Sequence, residues 1–209
     1  MPKMDAAKQR ERRIRTFNKQ APGYERRRKN NDLRVWREQL LASASGEVLE
    51  LAVGAGANFP FYPPDVQITA VDFSPQMISK AKEAAEDHDL APRFILCDAE
   101  EVDFPDNTFD TIVSTLSFCS YQDPEAMLAK VNRWCKPGGK ILLLEHGRST
   151  WKAVATVQKW LNPLVYRIIG CHQSRDIRGL LIQSELVIQR LENHFLNTVS
   201  LVWATPGKS

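Results

Sequence analysis

The run Val48-Leu-Glu-Leu-Ala-Val-Gly-Ala-Gly-Ala-Asn58 narrows the fold more than any other part of the chain. Its first residues, Glu47 to Leu51, form a short apolar strand that passes at once into a glycine turn. Glycines at such a turn let the backbone approach a nucleotide-like ligand closely, and the turn is expected to open a helix. A dinucleotide fingerprint would need a third glycine where Phe59 stands, and a phosphate-binding loop would need Gly-Lys-Ser/Thr. The chain has neither.

After this turn, strands and helices alternate. Strands are expected at Gln67–Val71, Arg93–Cys97, Thr111–Thr115 and Lys140–Glu145. Between them, Ser74-Pro75 opens a helix to about Glu86, and Asp123-Pro124 opens one to about Cys135, stopped by Lys136-Pro-Gly-Gly139. Further on, a helical stretch 151–170 is expected to be interrupted by Pro163 and ended by Gly170, followed by a helix Asp176–Gln183. Leu186–Leu191 and Thr198–Ala204 should pair as an edge hairpin. Ahead of the glycine turn, a helix over 5–20 is expected to break at Ala21-Pro22-Gly23, with a second helix from Tyr24 to Leu41. This rhythm predicts an α/β chain: a Rossmann-like, seven-stranded, mostly parallel sheet with helices on both faces and an antiparallel C-terminal hairpin.

Acidic residues mark the first three strands: Glu50 within the first, Asp72 after the second, Asp98 after the third. In a parallel sheet these ends line one crevice. Asp72 stands where an acid takes ribose hydroxyls, and Asp98-Ala99 where an adenine edge is met. Three acids disfavour a polyphosphate. They suit a ligand with ribose, adenine and positive charge, and S-adenosylmethionine has all three.

The stretches VLELAVGAGANF, ITAVDFSPQMISKAK, CDAEEVDFPDNTFDTIVSTLSF and KPGGKILLLEH resemble, in order and spacing, the class I S-adenosylmethionine-dependent methyltransferases. The segment FNKQAPGY, residues 17–24, resembles the N-terminal entry motif of their ubiquinone/menaquinone C-methyltransferase-like branch. Glu145-His146, the Trp-rich helix with its Asn-Pro step, and Gly170-Cys171 with Arg175 are similar, more loosely, to the methyltransferase-like thiol methyltransferases. The resemblance implies roles for matched residues. Glu50, Ala52, Gly54 and Gly56 would surround the methionine end of the cofactor. Asp72 would hold the ribose, with Phe73 and Met77 beside the adenine. Asp98, Ala99 and Glu100 would flank the base, and Ser114, Thr115 and Leu116 would lie under the reactive methyl. Tyr24 would close the site. Ala52 departs from the family's usual glycine, a mild change if the backbone there is not left-handed. His146 is the candidate base. Trp151, Trp160, Tyr166, His172 and Arg175 are candidates for the acceptor side, although the rings would serve equally to pack a cap on the sheet.

Charge is unevenly divided. Residues 1–40 carry thirteen Lys/Arg against five Asp/Glu, a balance of +8, while the chain as a whole is at +3. A basic head meets nucleic acid, an anionic membrane surface, or the protein's own acidic body. The expected division is therefore a basic helical lid, 1–44, and a cofactor-binding domain, 45–209, with 148–180 as a helical cap on the acceptor side. Cys97, Cys119, Cys135 and Cys171 form no Cys-x-x-Cys pair, so neither a metal site nor a disulfide framework is expected. No apolar run approaches the ~20 residues of a membrane span, and no secretory signal is apparent. The expected setting is cytoplasmic, with peripheral contact to an anionic membrane through the head. The expected substrate is a small lipophilic methyl acceptor, a quinol, phenol or thiol. A phospholipid amine, a nucleic acid or a non-catalytic cofactor-binding role are the alternatives, and nucleic acid is disfavoured.

Overall fold

The structure, a computed structural model, describes residues 6–30 and 33–208. Residue 5, where the first expected helix begins, the start read for a signal segment, and residues 31–32 lie outside them. The elements are α1 (Ala6–Lys29), α2 (Arg34–Leu41), β1 (Glu47–Leu51), β2 (Gln67–Asp72), α3 (Pro75–Glu86), β3 (Arg93–Leu96), β4 (Phe109–Thr115), α4 (Pro124–Trp134), β5 (Cys135–His146), α5 (Lys152–Ile169), α6 (Ile177–Gln183), β6 (Val187–His194) and β7 (Val199–Thr205).

The strands form one seven-stranded sheet in the order β3-β2-β1-β4-β5-β7-β6. The first five strands run parallel, and β7 pairs antiparallel with both β5 and β6. The inner strands of the sheet are buried on both faces, and side-chain alternation along each divides the core in two. Leu49, Leu51, Ile112, Ile141 and Leu143 face α4 and α6 through Met127, Val131, Trp134 and Leu181. Val48, Ala70, Val113, Leu142 and Leu144 face α2 and α3 through Leu40, Leu41, Ile78 and Ala81. The crossovers leave the carboxyl ends of β1, β2, β4 and β5 on one edge, where a parallel sheet places its ligand crevice.

The helix starts were legible. Ser74 Oγ accepts from Met77 N, and Asp123 Oδ1 accepts from Ala126 N, each ahead of a proline at the first turn. Four other expectations need correction. First, α1 runs unbroken through Pro22, so the second helix is only Arg34–Leu41. Pro22 forfeits one backbone bond, but Ala21 is buried and Phe17 and Tyr24 pack inward on either side, so tertiary packing overrides the local break. Second, the glycine turn opens only a single 3-10 turn, Phe59–Phe61, because Pro60 and then Pro63-Pro64 stop an α-helix from growing. Third, β5 starts at Cys135. Residues 136–139 bulge within it, between the pairs Phe109–Cys135 and Thr111–Lys140. Fourth, α5 continues through Pro163 and ends at Gly170 with φ 80°.

α5 is turned inside out. None of its residues is buried, and Trp160 is 82% exposed. Its inner side is polar. Gln158 donates to Gly147 O at 3.0 Å and accepts from Ser149 N at 2.8 Å, and one turn later Asn162 meets His172 Nδ1 at 3.3 Å. One turn further, Tyr166 stacks on His172 with ring centres 4.1 Å apart. Residues four apart share a helix face, so this polar stripe takes the inside and leaves Val157, Trp160, Leu164 and Ile168 facing outward.

Candidate active site

The crevice begins where β1 ends. Ala52, Gly54 and Gly56 all have positive φ, at 53°, 56° and 75°. Ala52 is therefore in the left-handed region, and its replacement of glycine is a strained one rather than a mild one. Gly56 is required by space as well, since a Cβ there would come within 2.8 Å of Ala84. Above Gly54, the nearest side chain to such a Cβ would be the Tyr24 ring at 3.7 Å.

Asp72 ties the first two loops together. Its Oδ2 accepts from Gly54 N at 2.9 Å and its Oδ1 from Ser74 N at 2.8 Å. A carboxylate has about four acceptor positions, so both oxygens keep capacity for further donors such as ribose hydroxyls. Burial raises its pKa to about 6, and Asp98 adds to the shift against the two backbone donors. Glu50 serves differently. It is buried, with Asn58 Nδ2 at 2.8 Å on one oxygen and Tyr62 OH at 2.9 Å on the other. Asn58 in turn bonds Arg37 and Thr115, so Glu50 anchors the loop from beneath. Burial pushes its carboxyl to about 7.

Helix α1 covers this edge. Asn18 accepts from Ser74 Oγ at 2.6 Å, Phe17 meets Phe73 edge-on, and the Tyr24 hydroxyl, buried here, is pushed up to about 12. Arg13 reaches deepest. Its guanidinium lies 5.1 Å from the Phe73 ring centre and 3.3 Å from Asp98, with Glu100 at 3.4 Å. Glu100 also accepts from Gln122 N and Asp123 N, both at 2.8 Å. Ala99 and Met77 are buried alongside. The crevice thus brings together Tyr24, Ala52, Gly54, Gly56, Asp72, Phe73, Asp98 and Glu100. Its donors and acceptors, acidic and glycine-lined without a phosphate cradle, fit S-adenosylmethionine.

Across the sheet edge, Ser114 is fully buried and donates to Glu145 Oε1 at 2.8 Å. Glu145 also accepts from Ser117 N and Phe118 N, each at 3.2 Å, and burial raises its pKa to about 7. Leu116 turns at φ 56°. Arg175 Nη1 donates to Phe118 O and Tyr121 O, both at 2.6 Å, and so holds the loop after β4 in place. His146, ending β5, has its Nε2 2.9 Å from Cys171 Sγ. Burial alone would lower the imidazole, but Cys171 and Glu145 outweigh it and raise its pKa. Cys171 therefore pairs with a distant histidine and not with its neighbour His172. Cys119 joins them, and one ligand-capable atom from each of the three lies within 4.8 Å of the others.

A cavity of about 290 Å³ opens beside this cluster, lined by Arg12, Arg13, Tyr121, Tyr166, Arg167 and His172 among others. Tyr166, His172 and Arg175, the three acceptor-side candidates other than the tryptophans, all line it. Trp151 and Trp160 do not reach it. Both are exposed, and neither packs the cap on the sheet. Sequence reasoning missed Arg13, Asn58, Tyr62, Cys119 and Glu145. Only Glu145, beside His146 at a strand end, carried a positional signal.

Comparison with known proteins adds likenesses to methyltransferases. The family model described as "Methyltransferase domain" matches residues 49–143. The chain is 37% identical over 118 residues to a phosphatidylethanolamine N-methyltransferase of Cereibacter sphaeroides, covering 56% of this chain and 58% of that one. It is 38% identical over 143 residues to the thiol S-methyltransferase TMT1B of Rattus norvegicus, covering 65% and 59%. The chain thus spans less than two thirds of the length of these curated relatives. Among solved structures, a geranyl diphosphate C-methyltransferase of Streptomyces coelicolor, bound to S-adenosyl-L-homocysteine, superposes with a TM-score of 0.67 at 13% identity, covering 83% and 79%. That likeness is one of fold.

Proposed function

We propose that this chain, whose residues 49–143 match the methyltransferase domain model, is an S-adenosylmethionine-dependent enzyme that methylates a small lipophilic acceptor: a quinol, phenol or thiol. The observation that carries the proposal is the junction of two sites on one sheet edge. Arg13 joins the two: it lies against Phe73 and Asp98 in the crevice and also lines a 290 Å³ cavity with stacked Tyr166 and His172 rings in its wall. When bound, the cofactor supplies an electrophilic methyl on a sulfonium. The chain's part is then to hold, align and keep dry.

Asp72 holds the ribose, and Asp98 with Phe73 receives the base. Helix α1, residues 6–29, is the lid of the basic N-terminal region, and it excludes water through Phe17 and Tyr24. Ser114, Thr115 and Leu116 border the transfer position, and residues 148–180 cap the acceptor. Arg12 and Arg167 line the cavity and make no ion pair among the described residues, so they favour an electron-rich or anionic acceptor over a cationic one. His146, at the end of β5 beside Cys171, positions or deprotonates the acceptor. In a panel of quinols, phenols, thiols and ethanolamine lipids, turnover is expected with one of the first three classes. His146→Ala should lower that turnover more than it lowers cofactor affinity. Turnover confined to the lipids would replace this acceptor class, and cofactor binding without turnover across the panel would leave a non-catalytic module.

A second reading has its own support. The outward apolar face of α5, with Lys152, Lys159 and Arg167 on the same helix and basic α1 beside it, suits peripheral contact with an anionic bilayer. Among the described residues no helix is long and apolar enough to cross a membrane.

A further inference from the structure

We infer that Cys119, His146 and Cys171 form a binding site for a zinc-class divalent cation, with a fourth position that opens on the acceptor cavity and takes a thiolate acceptor. Only the identity of that fourth ligand rests on the methyltransferase reading. The three donors come from three places: the loop after β4, the end of β5, and the residue following the αL turn that ends α5. Their ligand atoms lie within 4.8 Å of one another, and Cys171 Sγ is 2.9 Å from His146 Nε2. Zinc bonds of ~2.3 Å to sulfur and ~2.0 Å to nitrogen, set tetrahedrally, put neighbouring ligand atoms roughly 3.6–3.8 Å apart. The donors reach that geometry by shifts of about 1 Å.

The backbone around the cluster is fixed. His172 N donates to Cys119 O at 3.0 Å, Arg175 pins Phe118 and Tyr121, and Gly170, at φ 80°, turns the chain into Cys171. Both cysteines are buried, which suits a shielded soft cation and argues against a hard one. Three protein ligands and one open position is the arrangement of a working zinc centre, not of a closed structural one. The open side is marked by Ser120 and His172, the chain neighbours of Cys119 and Cys171, which line the cavity. A thiol bound there gives up its proton on coordination, to water in the open cavity. Methyl transfer then forms the new S–C bond at the thiolate and breaks the cofactor's C–S bond. The product is a neutral thioether, a weaker ligand that leaves. In this arrangement His146 is a ligand, not a base.

The test is metal binding by the reduced, metal-stripped full chain, read by competition with a chromophoric chelator and by the thiolate-to-metal charge-transfer band of the Co²⁺ form. Expected is a single tight Zn²⁺ per chain, and protection of Cys119 and Cys171 from alkylation by Zn²⁺. Cys119→Ser and Cys171→Ser should each weaken binding by more than about 100-fold, since even groups behind the ligands contribute 10–100-fold. Cys97→Ser should bind as the wild type does. A small thiol should shift the Co²⁺ band where a phenol does not. Absence of binding by the wild-type chain overturns the site whether or not the variants fold, and so does alkylation of Cys119 and Cys171 that proceeds in the stripped chain and is unaffected by Zn²⁺. Tight binding with a band indifferent to thiols overturns only the acceptor assignment, and cofactor titration, run separately, reports on the methyltransferase reading.

Discussion

At Asp72, burial and backbone donors oppose one another. Burial wins in the free protein and raises the carboxyl to about 6, while Glu50 and Glu145 are raised to about 7, also by burial. All three bind protons more tightly folded than unfolded. Their contribution to stability is therefore complete below the ordinary carboxylate range of about 4 and is lost as pH rises through about 6 to 7. The ligand-free chain is expected to melt at a lower temperature at about pH 8 than at about pH 5.5, as followed by circular dichroism. Cofactor affinity should move the opposite way and rise over the same interval, because ionised Asp72 is the better acceptor for hydroxyl donors. Melting that is independent of pH, or an affinity that falls, would contradict this reading of the buried acids. Asp72 and the glycines were legible because their chemistry is positional. The left-handed Ala52 was not, because alanine gives no sign of φ.

Elements show where local signals fail. Pro22 and Pro163 read as breaks, yet both helices continue: buried Ala21 and the inward Phe17 and Tyr24 hold α1, and the polar contacts of Gln158, Asn162 and Tyr166 hold α5, each against one lost backbone bond. Asp123 and Ser74 read correctly as helix starts because a cap acts within its own turn. Arg13 was beyond sequence reach altogether. It lies on a basic helix among many like residues, and only the fold lays it against Asp98 and Phe73. On the proposed reading of α1 as a lid and Asp98 as the partner of the base, Arg13 has to leave Asp98 before an adenine amine can use that carboxylate fully. Arg13→Ala is accordingly expected to speed cofactor association several-fold in stopped-flow fluorescence and to lower the melting temperature, because it leaves buried Asp98 without its cation. Slower association would mean that Arg13 receives the base instead of holding its place.

Across the whole molecule, the mostly parallel sheet and its antiparallel hairpin were legible from alternating strands and helices, whereas the strand order and the contacts that join distant loops were not. Cys119 and Cys171 stand 52 positions apart in the chain and meet only because the loops after β4 and α5 converge on the end of β5. The same fold sets basic α1 beside the outward apolar side of α5. Trp160 is 82% exposed and makes no core contact, so Trp160→Ser should leave stability within about 0.5 kcal/mol. It should nevertheless weaken sedimentation with vesicles rich in anionic lipid. Equal sedimentation by the two proteins would remove α5 from any bilayer contact.

Calorimetric titration with S-adenosylmethionine, with NADH as the control ligand and Asp72→Asn as the control protein, tests the central claim most directly. The wild-type chain is expected to bind S-adenosylmethionine and not NADH. Asp72→Asn should bind at least about tenfold more weakly, the loss expected for hydrogen bonds to a charged group. No binding by the wild-type chain, or equal affinity in the two proteins, would contradict the assignment of the crevice.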